Sequence, residues 1–107
     1  MKKEFEECVE INDIDTVAGP ADRLAKLFEE SGELAKAVCM DIGRKKTSLN
    51  KAQIRDEVKE EAVDVLQCVF SLVAEYKITY EELIEVFQKK NKKWRTVAEE
   101  RKNATGL

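Results

Sequence analysis

The chain has 107 residues, of which 38% are charged and 43% hydrophobic, with 19 Lys+Arg against 22 Asp+Glu and no histidine. That length suits one domain, and one Pro with four Gly leaves few helix breakers, so the composition points to an all-α fold. The missing histidine excludes Ser-His-Asp and Cys-His catalysis, His-ligated zinc and the Glu-x-x-His motif of di-iron bundles. A net charge of −3 speaks against a nucleic-acid binder. Cys8, Cys39 and Cys68 are widely spaced and form no Cys-x-x-Cys pair, which fits reduced thiols in a cytoplasmic protein. The start turns acidic where a signal peptide would turn apolar, and no apolar run approaches the length of a membrane span.

Residues 3–11 read as a short first helix that ends in the polar stretch Asn12-Asp-Ile-Asp-Thr. Gly19-Pro20 is a start signal, because proline at the first helical position loses no hydrogen bond. Leu24, Leu27, Phe28, Leu34, Ala35, Val38 and Ile42 then recur at three- and four-residue steps, giving a second helix over 20–42 with Gly43 as its C-cap. Asn50 with Gln53 opens a third helix over 51–76, and Thr79 with Glu82 a fourth over 79–101, each by a capping box. Apolar residues cover most of the third helix between Ala62 and Ala74. A helix apolar nearly all round is buried on several sides. The expectation is therefore one domain over 1–107, a four-helix-bundle-like fold that shares its core in a homodimer or homotetramer. The alternative is a monomer with this helix in the centre.

Glu-Glu-x-x-Glu occurs at 6–10, 29–33 and 81–85. The last copy lies in a helix first turn, where acids suit the dipole, and the first on a strongly acidic, solvated segment. The middle copy lies mid-helix and encloses Gly32, whose cost of about 1 kcal/mol relative to alanine asks for a reason such as close approach of a backbone or ligand. Asp64 is the second anomaly, a carboxylate inside the most apolar stretch of the chain. Glu57, Glu61 and Asp64 fall along one edge of the third helix, and Glu30 and Glu33 beside the apolar arc of the second. Side-by-side packing would bring Glu30, Glu33, Glu61 and Asp64 together. The alternative is that they face separate surfaces or pair with Lys26, Lys36 or Lys59. An all-oxygen set selects a hard cation, Mg²⁺ first and Mn²⁺ as a substitute.

The segment Leu27-Phe-Glu-Glu-Ser-Gly-Glu-Leu-Ala-Lys-Ala-Val, followed by Glu60-Glu-Ala-Val-Asp-Val-Leu, resembles the MazG-type nucleotide pyrophosphohydrolases of the all-α NTP pyrophosphatase superfamily. The resemblance implies a dimer or dimer of dimers and Mg²⁺-dependent hydrolysis of a nucleoside triphosphate to monophosphate and pyrophosphate. It implies Glu30, Glu33, Glu61 and Asp64 as metal ligands and Glu29 as the group that orients or deprotonates the attacking water. Lys90-Asn91-Lys92-Lys93 resembles a segment used near phosphates and sugar, which carries Lys90, Asn91 and Lys93 over as substrate-binding residues. Lys45 and Lys46 are further candidates for the outer phosphates, the alternative being ordinary solubilising lysines. Trp94 could stack on a base, or simply pack. A phosphoribosyl-ATP pyrophosphohydrolase would share the metal site and differ in substrate. The competing class is a non-catalytic helical dimerisation or regulatory module.

Overall fold

The computed structural model describes residues 1–105 and holds four α-helices, with no strand among the described residues. They are α1 (Lys2–Ile14), α2 (Pro20–Asp41), α3 (Lys51–Glu75) and α4 (Tyr80–Ala104). The chain divides into two compact units, one covering Met1–Lys77 and the other beginning at Ile78.

Local chemistry sets most of the helix ends. Pro20 occupies the first position of α2, and the Asp22 carboxylate accepts from the Gly19 N–H at 3.1 Å. At the other end Gly43 takes φ +76°, and the Arg44 N–H reaches back to the Cys39 carbonyl at 2.9 Å, as a left-handed C-terminal turn requires. Asn50 and Gln53 exchange side-chain-to-backbone bonds of 2.9 Å each at the start of α3. Thr79 and Glu82 do the same at the start of α4, at 3.1 and 3.4 Å. The first helix departs from expectation. It runs past residue 11 to Ile14, because Asn12 is drawn inward by a bond from Ser71 and lies buried on the helix. The fourth continues to Ala104, with Arg101 and Lys102 favourably placed at its negative end.

Within the first unit α2 and α3 pack along their length, and α1 packs on α3. The two long helices run antiparallel. Arg23 meets Glu75 and Ser71, Glu30 lies with Glu61 and Asp64, and Lys51 meets Asp41, so one number falls as the other rises. The apolar core is thin, comprising Phe5, Ala37, Ile54, Phe70 and Ala74. Phe5 and Phe70 meet edge to face with ring centroids 5.2 Å apart. Leu24, Phe28, Val38, Val63 and Leu66 remain substantially exposed on α2 and α3. The apolar circumference of α3 is thus only partly used within the first unit. On α4 no residue is buried, and Trp94 is 64% exposed.

Candidate metal centre

Antiparallel packing of α2 and α3 decides which acids meet. Glu30, Glu61 and Asp64, all half-buried, each bring one carboxylate oxygen within 4.8 Å of the others. Asp64, the acid set among valines, is there because its helix turns that edge toward α2. Glu33 stands on the same helix as Glu30 but is solvent-exposed and lies outside this triad. A three-residue step leaves two side chains about 60° apart around a helix, so one can face the neighbouring helix while the other faces water. Its charge still reaches Glu61. Glu29 is exposed and points its Oε1 at Lys26 Nζ, 3.4 Å away.

The charge balance of the triad is incomplete. Lys26 Nζ lies 3.2 Å from Glu30 Oε1, so that carboxylate has a partner, whereas Lys59 pairs with Asp56 at 3.0 Å instead. Glu61 Oε2 is sealed from solvent and has no hydrogen-bond partner. Removal from water, and then the negative charges of Asp64, Glu30, Glu33 and Glu57, push the Glu61 carboxyl above its ordinary range. A carboxylate with an orphaned oxygen beside two other carboxylates is what a hard divalent cation would satisfy, and the donor set is entirely oxygen. The residues fit such an ion.

Because its folded-state pKa is raised, Glu61 binds more protons in the folded than in the unfolded chain. Metal-free stability therefore falls as pH rises from the ordinary carboxylate range through the raised value. Glu61→Gln is expected to melt higher than the parent at neutral pH in EDTA, with the difference shrinking toward pH 5; thermal melts at the two pH values check this.

A cavity of about 640 Å³ adjoins the triad. Glu30 and Asp64 line it, and its wall continues over Lys26, Arg23, Gln67, Cys68 and Ser71 to Cys8 and Asn12 of α1. Lys45 and Lys46 stand on the exposed connection between α2 and α3 and do not line this cavity. Lys90, Asn91 and Lys93 are exposed on α4. Gly32 has nothing within 4 Å of where a Cβ would stand, so close approach of another part of the described chain is not its reason. Sequence reasoning missed Arg23 and Asn12, which are 8% exposed each. Of the lysines weighed as partners for these acids, Lys26 does pair with Glu30.

The strand-free, four-helix arrangement of the described residues is consistent with an all-α MazG-like bundle. The family model for phosphoribosyl-ATP pyrophosphohydrolase matches residues 2–91, and the chain belongs to that family. The match spans α1 to α3 and takes in Lys90 and Asn91, while Lys93 and Trp94 lie beyond it. No curated protein and no solved structure gives a match. Membership of this family makes the chain a pyrophosphohydrolase with a nucleotide-like substrate. No helix among the described residues is long and apolar enough to cross a membrane.

Proposed function

We propose that the protein hydrolyses a nucleoside triphosphate, canonical or modified, to the monophosphate and pyrophosphate in the presence of Mg²⁺, with Mn²⁺ as a substitute. The observation that supports this most is the orphaned Glu61 oxygen within the Glu30, Glu61 and Asp64 triad. These three would hold the cation, with Glu33 as a fourth ligand. A bound ion would supply the positive charge that lets a polyanionic substrate approach carboxylates, and would offset charge developing on the leaving pyrophosphate. Glu29 accepts the proton of the attacking water. The water oxygen forms its bond to the α-phosphorus, and the bond to the oxygen bridging toward the β-phosphate breaks, releasing pyrophosphate. Within the first unit, Lys45 and Lys46 on the connection between α2 and α3 are the proposed partners of the outer phosphates.

The matched family carries a second substrate in its description, phosphoribosyl-ATP, whose hydrolysis would use the same carboxylates. One assay separates the readings. Canonical and modified (d)NTPs and phosphoribosyl-ATP are each incubated with Mg²⁺, and pyrophosphate and orthophosphate are measured. Monophosphate with one equivalent of pyrophosphate from a triphosphate is the expected result. Turnover of phosphoribosyl-ATP alone would favour the second substrate, and orthophosphate as the sole phosphorus product would contradict cleavage between the α- and β-phosphates. No turnover at all would favour a non-catalytic module.

The working form in this reading is a cytoplasmic homodimer or homotetramer. The thin core and the exposed Leu24, Phe28, Val63 and Leu66 support it, since apolar surface of that kind is usually covered by a partner. Light scattering on the purified protein should give a mass at least twice the chain's 12.2 kDa.

A further inference from the structure

A chain of hydrogen bonds in the cavity wall fixes the direction in which one buried amide can act. Arg23 is 8% exposed, and a guanidinium only donates. Its Nη1 donates to Ser71 Oγ, while Nη2 donates to the carbonyls of Asp15 and Ala18 at 2.9 and 3.2 Å. Because Ser71 Oγ accepts from Arg23, its own proton is free for Asn12 Oδ1, 2.9 Å away. The Ser71 hydroxyl donates to the Asn12 oxygen, and Nδ2 is thereby turned away from Ser71.

That Nδ2 has no hydrogen-bond partner among the described residues, yet it is not sealed off as Glu61 Oε2 is. Asn12 is more than nine-tenths buried and lines the cavity. A donor left in this state in a buried wall loses free energy unless a ligand or water accepts from it. Nearby, Gln67 offers a second amide with no hydrogen bond of its own, and Cys8, Cys68 and Ile11 supply apolar wall. The volume of about 640 Å³ lies within the usual span of small-molecule sites, roughly 300–1,000 Å³.

We infer that Asn12 is a specificity-determining residue that donates a hydrogen bond to an acceptor on the nucleobase, with Ser71 and Arg23 as positioning residues that hold its polarity. The inference rests on the pyrophosphohydrolase reading of the carboxylates. If the α-phosphate is at Glu30 and Asp64, the group attached to it is the nucleoside, and the cavity leading from those acids to Asn12 is the space next to it. A rigidly oriented donor discriminates between bases better than a free one, because a base presenting a donor there leaves two donors facing each other.

Two measurements on the full chain test this. The Asn12 side-chain amide signal is identified in a ¹⁵N–¹H spectrum by its loss in Asn12→Asp, and AMP, GMP, CMP and UMP are added without metal. Steady-state hydrolysis of the four matching triphosphates with Mg²⁺ is then compared for the parent, Asn12→Asp and Ser71→Ala. The Asn12 amide should shift with at least one monophosphate. Asn12→Asp should raise KM for the preferred triphosphate about tenfold or more while kcat changes less than about threefold, as expected when a donor is replaced by an acceptor. Ser71→Ala, which frees the amide to rotate, should reduce the preference between the best and second-best base about fivefold. A protein that turns over triphosphates with an unmoved Asn12 amide and unchanged KM and base preference in Ser71→Ala overturns the inference and leaves the hydrolase reading intact. A shifted amide without turnover of any nucleotide keeps the binding role and overturns the hydrolase reading. No shift and no turnover overturns both. If Asn12→Asp fails to fold by circular dichroism, an ¹⁵N-asparagine-labelled parent with Ser71→Ala carries the test.

Discussion

Asp64→Asn is expected to reduce kcat/KM by about a thousandfold, equivalent to about 4 kcal/mol of transition-state stabilisation, while the protein still folds. The substitution keeps the shape of the side chain and removes one of three charges that meet within 4.8 Å. In the metal-free chain those charges repel, and Asp64 is, after the loss of water itself, the first influence that pushes the Glu61 carboxyl up. Neutralising Asp64 therefore relieves repulsion in the empty chain and weakens the hold on a cation. Activity and stability should move in opposite directions. A variant whose melting temperature stays level or rises while turnover collapses carries the signature of a charge cluster built for an ion. A surface acid would change neither.

Arg23→Ala should give the largest loss of stability, about 3 kcal/mol, lowering the urea midpoint by roughly 1–3 M. The guanidinium, itself on α2, holds two other pieces of chain. Its Nε lies 3.3 Å from Glu75 on α3, Nη1 meets Ser71, and Nη2 ties down the connection between α1 and α2 through Asp15 and Ala18. Removing it leaves Glu75, which is 28% exposed, without its partner and strips donors from two carbonyls. Partial exposure of Glu75 puts the estimate at the low end of what breaking a buried pair costs. Lysine is a poor replacement, since one ammonium cannot reproduce the planar fork. Equilibrium unfolding of Arg23→Ala and Arg23→Lys should find both destabilised, with alanine the worse.

What could be read from the sequence was local, and what could not was held by distant partners. Pro20, Gly43, Asn50 with Gln53 and Thr79 with Glu82 mark helix ends through bonds spanning a few residues, so their meaning survives without knowledge of packing. Asp64 was visible as a carboxylate in an apolar run, a conflict between residue and surroundings that sequence alone displays. Asn12 gave the opposite signal. It read as the polar end of a short helix, and only Ser71, 59 residues away, explains why it is buried and why α1 continues. Nothing local marks Arg23 either, because its hydroxyl partner is 48 residues distant. Spacing placed Glu33 with Glu30, but which of the two faces α3 depends on how α2 is rotated against it, and periodicity does not specify that angle closely enough.

The proposed binding of a divalent cation by Glu30, Glu61 and Asp64 together is tested, without reference to any substrate, by Mn²⁺ titration followed by electron paramagnetic resonance. The parent protein should remove free Mn²⁺ from the spectrum in a saturable way, Mg²⁺ should compete, and both Glu61→Gln and Asp64→Asn should lose most of that affinity while keeping their helical circular dichroism. Equal Mn²⁺ binding by the parent and by both variants would contradict that proposal.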